Sequence, residues 1–344
     1  MKKTAYAKAG VDINNKMSAL AAVKKMIRTT ATPGVLNDVG AFGGFFSSPG
    51  RDRILVASSD GVGTKLMVAV KAGRHDTVGQ DLVNHCVNDI LVHGAAPLFF
   101  MDYVGTSKFK PEVFRQVIAG LCKACRENGC ALLGGETAEL PGLYPANDYD
   151  LVGTIVGSVP KNRVITGNEV KPGDIIIGLP STGLHTNGYS LARKLIFEKA
   201  GLGINDMVPG TGKTAGAALL AVHRSYLKPV MKLMDNVRIH GLAHITGGGF
   251  PDNIARIMPE RSSATIDTSA WRIPPLFRFL RETGNVDWDE MYHVFNMGIG
   301  MVVFVAANNA GKAFDSLSKS GAMPRIIGRV ERDRTPVKLV LPKS

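Results

Sequence analysis

At 344 residues, with 45% hydrophobic and 20% charged residues, the chain is long enough for two domains with separate cores and argues against extensive disorder. Forty-one Lys and Arg against 29 Asp and Glu leave a formal charge of +12. The basic residues are dispersed, never more than two in a row (Lys2-Lys3, Lys24-Lys25), and no stacking aromatics interleave them, so the excess is read as serving a phosphorylated small-molecule substrate or simply solubility, with no nucleic acid expected. No run approaches the ~20 apolar residues of a membrane span, and no apolar segment follows Met1-Lys2-Lys3-Thr4-Ala5-Tyr6, so no membrane partner is expected and the location is read as cytoplasmic.

In chain order, residues 1–20 are polar without a regular period and are expected to form a mobile arm. An apolar strand at 54–58 leads into Asp60-Gly61-Val62-Gly63-Thr64-Lys65. There Gly61 and Gly63 permit close backbone approach, Asp60 can hold a metal ion, and Thr64 and Lys65 can meet phosphate. A helix follows at about 81–93. On a 100° wheel Asp81, Asn84, His85, Asn88 and Asp89 share one arc opposite Leu82, Val83, Cys86, Val87 and Ile90. A solvated face would more commonly carry Lys and Glu; this one offers short oxygen-bearing side chains and one imidazole, and its carboxylates and amides suit magnesium or its waters.

A strand at 98–104 and a helix at 111–128 precede a strand at 131–133, after which Gly134-Gly135-Glu136-Thr137-Ala138-Glu139 supplies a third acidic position. The pair Cys122 and Cys125 with Cys130 lies in or just after the helical pattern and reads as buried small hydrophobes rather than a metal or redox site. After a strand at 151–159, Val170-Lys171-Pro172-Gly173-Asp174 punctuates the chain and sets the expected boundary between domains 1–172 and 173–344.

The second half alternates again, with strands at 175–179, 300–305 and 325–330 and helices near 190–200, 217–233 and 252–257. In Ser181-Thr182-Gly183-Leu184-His185-Thr186-Asn187-Gly188 a strand turns into a helix, and His185 can be a proton carrier beside an oxyanion or can simply pack against the turn. Gly247-Gly248-Gly249, after the strand-like Leu242-Ala243-His244, implies close approach of ligand or backbone. Gly210-Thr211-Gly212-Lys213-Thr214 imitates the end of a Walker A loop, but Met207 stands where its first glycine belongs and no parallel strand precedes it, so it reads as a polar loop.

Together the runs 6–13, 60–65, 79–90, 134–142, 185–193 and 246–253 resemble the phosphoribosylformylglycinamidine cyclo-ligase (aminoimidazole ribonucleotide synthetase) family of purine biosynthesis, in that family's order. The resemblance implies a two-domain α/β (α+β-like) fold, a homodimer formed through the N-terminal sheet, and ATP with Mg2+ near the dimer interface. Its reaction activates the formamide oxygen of formylglycinamidine ribonucleotide with ATP, after which an amidine nitrogen attacks and phosphate leaves, giving 5-aminoimidazole ribonucleotide. On this sequence Asp60, Asp89 and Glu136 would carry metal, and Lys24 and Lys65 would offset charge on the transferred phosphoryl group. Asp81 and Asn88 would orient these groups, and Gly61, Gly63, Thr64, Gly134, Gly135 and Thr137 would meet the nucleotide phosphates. His185, Asn187, Gly247, Gly248 and Gly249 would face the ribonucleotide, with Lys24, Asp89 and His185 closest to the chemistry. Two alternatives stand beside this reading: another ATP-dependent phosphoryl-transfer enzyme of the same fold, and a non-catalytic nucleotide-binding scaffold.

Overall fold

The structure, a computed structural model, describes residues 36, 44–48 and 50–341. The expected arm at 1–20 and Lys24 lie outside the described residues. In the first half β1 (Gly44–Ser47), β2 (Arg53–Gly61), β3 (Ala96–Thr106), β4 (Ala131–Glu139) and β5 (Tyr149–Pro160) form a sheet of order β1-β2-β5-β3-β4, in which only β3 and β4 run parallel. The alternating residues Leu151, Ile155 and Val159 are fully buried, as expected for one covered face.

Among the described residues three helices accompany this sheet: α1 (Lys65–Ala72), α2 (Asp76–Leu91) and α3 (Pro111–Asn128). α2 lies on β2 and β5, and α3 packs against α2. Glycine makes the helix crossing possible: a Cβ at Gly79 would overlap the Val117 carbonyl, and one at Gly120 the Asp76 carbonyl. α3 has the bounds its punctuation predicts, with Pro111 in the first turn and Gly129 in the left-handed region just beyond the end.

In the second half β6 (Ile175–Pro180) is followed by α4 (Tyr189–Arg193), which continues as a π-helical turn to Lys199. Next come the hairpin β7 (Met207–Val208) and β8 (Lys213–Thr214), α5 (Ala215–Leu219), α6 (Leu227–Met234), β9 (Ile239–His244) and α7 (Gly249–Ala255). The chain ends with β10 (Ser263–Asp267), α8 (Pro275–Gly284), α9 (Trp288–Val294), β11 (Ile299–Val305), α10 (Ala310–Lys319), β12 (Arg325–Glu331) and β13 (Val337–Val340). The sheet order is β13-β10-β12-β6-β11-β9, antiparallel except for β10 with β13. Every residue of β11 is buried, which explains its unbroken apolar sequence.

Two expectations need correction. The run Gly134 to Glu139 does not follow a strand; it is the second part of β4, at the sheet edge. The helix expected at 217–233 is two helices, α5 and α6, separated by an irregular segment that carries His223. The Walker-like run forms the turn and second strand of the β7–β8 hairpin, where Thr214 caps α5 through the Ala217 N–H.

Candidate active site

The polar face of α2 is a bracket between the two halves of the chain. Asn84 Nδ2 donates to the His223 carbonyl at 2.7 Å. Asn88 Nδ2 donates to the Arg224 carbonyl at 2.8 Å while its Oδ1 accepts the Tyr226 N–H at 2.9 Å. Asp81 Oδ1 accepts the His223 N–H at 2.7 Å, and Asp81 Oδ2 lies 2.7 Å from Lys65 Nζ, both side chains being 0% exposed. Lys65 also donates to the carbonyls of His185 and Ala221. Burial pulls the Lys65 pKa down and pushes that of Asp81 up, each opposed by the other's charge.

These contacts correct three expectations. The Lys65 ammonium is taken by Asp81 and by the carbonyls of His185 and Ala221 rather than by phosphate, and Asp81 and Asn88 hold Lys65 and the irregular segment between α5 and α6 rather than orienting groups of the nucleotide. Segments 142 residues apart meet here through the Asp81 and His223 bond, so the wheel showed a distinctive face without showing its partner.

Behind Asp60 four imidazoles and two carboxylates collect. Asp60, at the end of β2, accepts the Gly61 N–H on Oδ1, and its Oδ2 lies 2.8 Å from His85 Nε2. His85 Nε2 is 3.5 Å from Asp89 Oδ2, and His85 Nδ1 meets Thr186 Oγ1 at 2.6 Å. Asp89 Oδ1 is 2.8 Å from His244 Nδ1, and Ser58 Oγ donates to Oδ2. His244 Nε2 meets His223 Nε2 at 3.0 Å. His185 stacks on His223 with centroids 3.9 Å apart, and its Nε2 accepts the Thr182 N–H.

Burial lowers the pKa of His185, His223 and His244. Burial also disfavours the charged form of His85, but Asp60 and Asp89 prevail and push it up to about 9. Burial would raise Asp60, yet the His85 charge holds it at about 2. The cluster is thus organised to place positive charge between two carboxylates.

Above this layer the chain opens. Asp60 is 42% exposed, Gly63 and Gly247 are exposed, and Thr64 and Asn187 are half-buried. Thr64 Oγ1 meets Ser190 Oγ across the two halves, and Asn187 Nδ2 contacts Thr186 Oγ1. A Cβ on Gly247 would touch Asn187 Oδ1, so these two expected ligand-binding residues are neighbours. Gly249 serves backbone packing instead: at φ +59° it passes so close to Tyr292 that a Cβ would overlap the carbonyl oxygen. Gly248 caps α7, and Asn253 Nδ2 holds the Gly249 carbonyl at 2.7 Å.

Glu136 does not join Asp60 and Asp89. Asp60 is in register with Gly153, Gly153 with Asp102, and Asp102 with Gly135, which places three strand spacings, roughly 14 Å, between β2 and β4. Gly134, Gly135 and Thr137 share that edge strand, where the Thr137 N–H is bound by Glu136 Oε1. His185, expected at a substrate surface, is buried. Sequence reasoning missed His223 and Thr186 as members of the cluster, and quoted His244 without a role. His244 was the more visible, as a polar residue at the buried end of a strand before three glycines; His223 was concealed by the expected continuous helix.

The family described as AIR synthase related protein, N-terminal domain, matches residues 41–159, and its C-terminal domain counterpart matches residues 171–339. A phosphoribosylformylglycinamidine cyclo-ligase of Alkaliphilus oremlandii is 48% identical over 95% of this chain and 97% of its own. One from Trichlorobacter lovleyi is 46% identical over 96% of this chain and 95% of its own. Among solved structures, hydrogenase maturation protein HypE in complex with ATP superposes with a TM-score of 0.62 at 18% identity, covering 96% of this chain and 92% of that one. Thiamine-monophosphate kinase from Stenotrophomonas maltophilia gives 0.64 at 16% identity, covering 94% and 96%. At these identities the two structures speak for the fold alone.

Proposed function

The chain belongs to the phosphoribosylformylglycinamidine cyclo-ligase family, and we propose that it catalyses that family's reaction at the opening over Asp60. The γ-phosphoryl group of ATP passes to the formamide oxygen of formylglycinamidine ribonucleotide and ADP leaves. The amidine nitrogen then attacks the activated carbon, the carbon–oxygen bond to phosphate breaks, and 5-aminoimidazole ribonucleotide results. What carries this reading is 48% identity to a named cyclo-ligase over 95% of the chain.

The donor set decides what each group can do. Asp60 is the carboxylate open to solvent, with Thr64 and the Gly63 backbone beside it, and suits a magnesium ion arriving on nucleotide phosphates, whose chemistry would be to neutralise the transferred group. Asp89 lies behind, its oxygens turned to His85, His244 and Ser58. Glu136 does not fit the same ion within one chain. Asn187 and Gly247 form the opposite rim and suit the ribonucleotide. Lys65, Asp81, Asn88 and His185 are positioning residues that hold the two halves in register under the site.

We extend the proposal to a cytoplasmic homodimer of chains with domains 1–172 and 173–344. Among the described residues no helix covers the outer face of the N-terminal sheet, and Met101 with the bulge residues Leu98 and Leu133 is exposed on β3 and β4. A second copy seated there would bring Gly134, Gly135, Glu136 and Thr137 to the interface, where the family resemblance puts ATP. The deciding assay follows aminoimidazole formation and ADP release from ATP, magnesium and formylglycinamidine ribonucleotide. Equal amounts of both products, each dependent on the ribonucleotide, support the reading. ADP without aminoimidazole assigns the chain to a phosphoryl-transfer sibling, and neither product to a scaffold.

A further inference from the structure

The three cysteines near the end of α3 are not equivalent. Cys125 is buried at 2% exposure, whereas Cys122 and Cys130 are half-buried. The helix closes on Gly129 in the left-handed region, at φ 70° and ψ 33°, with the Gly129 N–H on the Arg126 carbonyl. The Cys130 N–H then returns to the Cys125 carbonyl at 3.0 Å. This pair of bonds makes a Schellman reversal, in which the side chains before and after the turn meet. Here both are thiols, and they hydrogen-bond to each other.

The backbone bond also limits how far apart the two residues can stand. A covalent reach of about 2.4 Å from Cα to carbonyl oxygen and about 1.5 Å from amide nitrogen to Cα keeps the two Cα atoms within about 7 Å even with every link in line. Any bend at the oxygen brings them into the range of roughly 4.4–6.8 Å that a disulfide spans. Among the described residues no third His, Cys, Asp or Glu atom gathers with this pair within 4.8 Å, so the arrangement is a dithiol rather than a metal site.

The hydrogen bond assigns the two roles. Donation from Cys125 lowers the Cys130 pKa against the opposing effect of burial, and the same bond pushes Cys125 well up. The sulfur with access to solvent is therefore the one that gains thiolate character. The Cys125 and Arg126 carbonyls, which at a helix end oppose negative charge, are occupied by the Cys130 and Gly129 N–H groups.

We propose that Cys130 and Cys125 are a hydroperoxide-responsive dithiol that closes to a disulfide at the joint between α3 and β4. Cys130 Sγ first takes the terminal hydroxyl of the hydroperoxide. An S–O bond forms, the O–O bond breaks, and the remaining oxygen leaves with the thiol proton, as water when the oxidant is hydrogen peroxide. Cys125 Sγ then attacks Cys130 Sγ. The S–S bond forms, the S–O bond breaks, and the hydroxyl leaves with the Cys125 proton as a second water. The thiols together lose two electrons and the peroxide gains them. Once Cys130 is oxidised, the thiolate that raised Cys125 is gone. The bridge fastens the residue that precedes β4, an edge strand beside β3, to the end of α3. In a reducing compartment such a bond is transient and sensing.

The test uses the full-length chain, reduced, freed of reductant and treated while folded with hydrogen peroxide. Of the four thiols, two are expected to disappear, with the intact mass lower by two hydrogens, and dithiothreitol should restore both. Trypsin cuts after Lys123 and Arg126, so Cys122, Cys125 and Cys130 fall on separate peptides. Those carrying Cys125 and Cys130 are expected to stay joined until reduced. Cys122→Ser should form the bridge unchanged. Cys125→Ser should instead carry Cys130 on to the sulfinic acid, because no resolving thiol is at hand. Cys130→Ser should leave Cys125 as the thiol. Four thiols surviving in the folded chain, a bridge through Cys122, sulfinic acid at Cys130 of the wild type in place of a bridge, or a bridge formed only in urea overturns the pair. If Cys125→Ser fails to fold, the wild-type peptide map and Cys130→Ser, at a half-buried position, still decide. None of these readouts involves turnover, so failure of the cyclo-ligase assay and failure of the dithiol are separate results.

Discussion

Asp89 faces two imidazoles from a position 4% exposed, so exchanging it for Asn keeps the volume and removes the charge. Asp89→Asn is expected to fold with an unchanged circular dichroism spectrum and to lose roughly 10²–10³-fold or more in kcat, the scale of a lost charge stabiliser. Full activity in that variant would remove Asp89 from the site. The glycine loop separates two roles in the same way. Gly249→Ala would force a side chain into the Tyr292 carbonyl at a positive φ and should cost about 3 kcal/mol or more in urea denaturation. Gly247→Ala, exposed and free of that φ constraint, should keep the denaturation midpoint and raise KM for the ribonucleotide. An unchanged KM would take Gly247 off the rim. Asp60 and Asp89 were readable as candidates because each carboxylate sits beside a strand end or on an amphipathic face. Glu136 misled because sequence spacing carries no information about strand order, and β5 and β3 stand between it and Asp60.

Between elements, the Lys65 and Asp81 pair joins α1 to α2 and both to the segment at 221–226. Asp81→Asn retains an oxygen for the His223 N–H but strands an ammonium that is 0% exposed. A loss of about 3–5 kcal/mol is expected, with much of it restored by adding Lys65→Met. A urea double-mutant cycle without coupling would show that the charges are solvated. His93, just beyond α2, adds a pH dependence: its Nδ1 bonds the Ile165 carbonyl, and burial pulls its pKa down to about 4. A folded-state pKa below the unfolded value of ~6.5 means that protons favour the unfolded chain. Stability from this group is therefore complete above pH ~6.5 and declines as pH falls towards 4, by about 3 kcal/mol in all. His93→Gln should flatten that part of the pH–stability curve, and an unchanged slope would assign it to other groups. Elements with their own punctuation, such as α3, were legible from sequence. The partner of the α2 face was not, because its irregular segment lies between two apolar stretches whose combined period imitates one helix.

For the whole molecule, the N-terminal sheet is covered by α2 on one face, while no described helix packs on the other. An uncovered face carrying Met101 at 44%, Leu98 at 47% and Leu133 at 63% exposure is costly in water and suits a self-complementary contact. A stable contact needs about 800 Å² from each partner, which the five-stranded sheet can supply. Met101→Glu would place two carboxylates close to the symmetry axis of such a pair, against apolar neighbours. The wild-type chain is expected to sediment as a dimer at micromolar concentration and the variant as a monomer. If Gly134, Gly135, Glu136 and Thr137 complete the nucleotide site only across that interface, cyclo-ligase activity should fall with the dimer and return at high protein concentration. A variant that is monomeric and fully active would leave the face as an interface but separate it from catalysis. A monomeric, active wild type would remove both the dimer and the role of β4 in binding ATP.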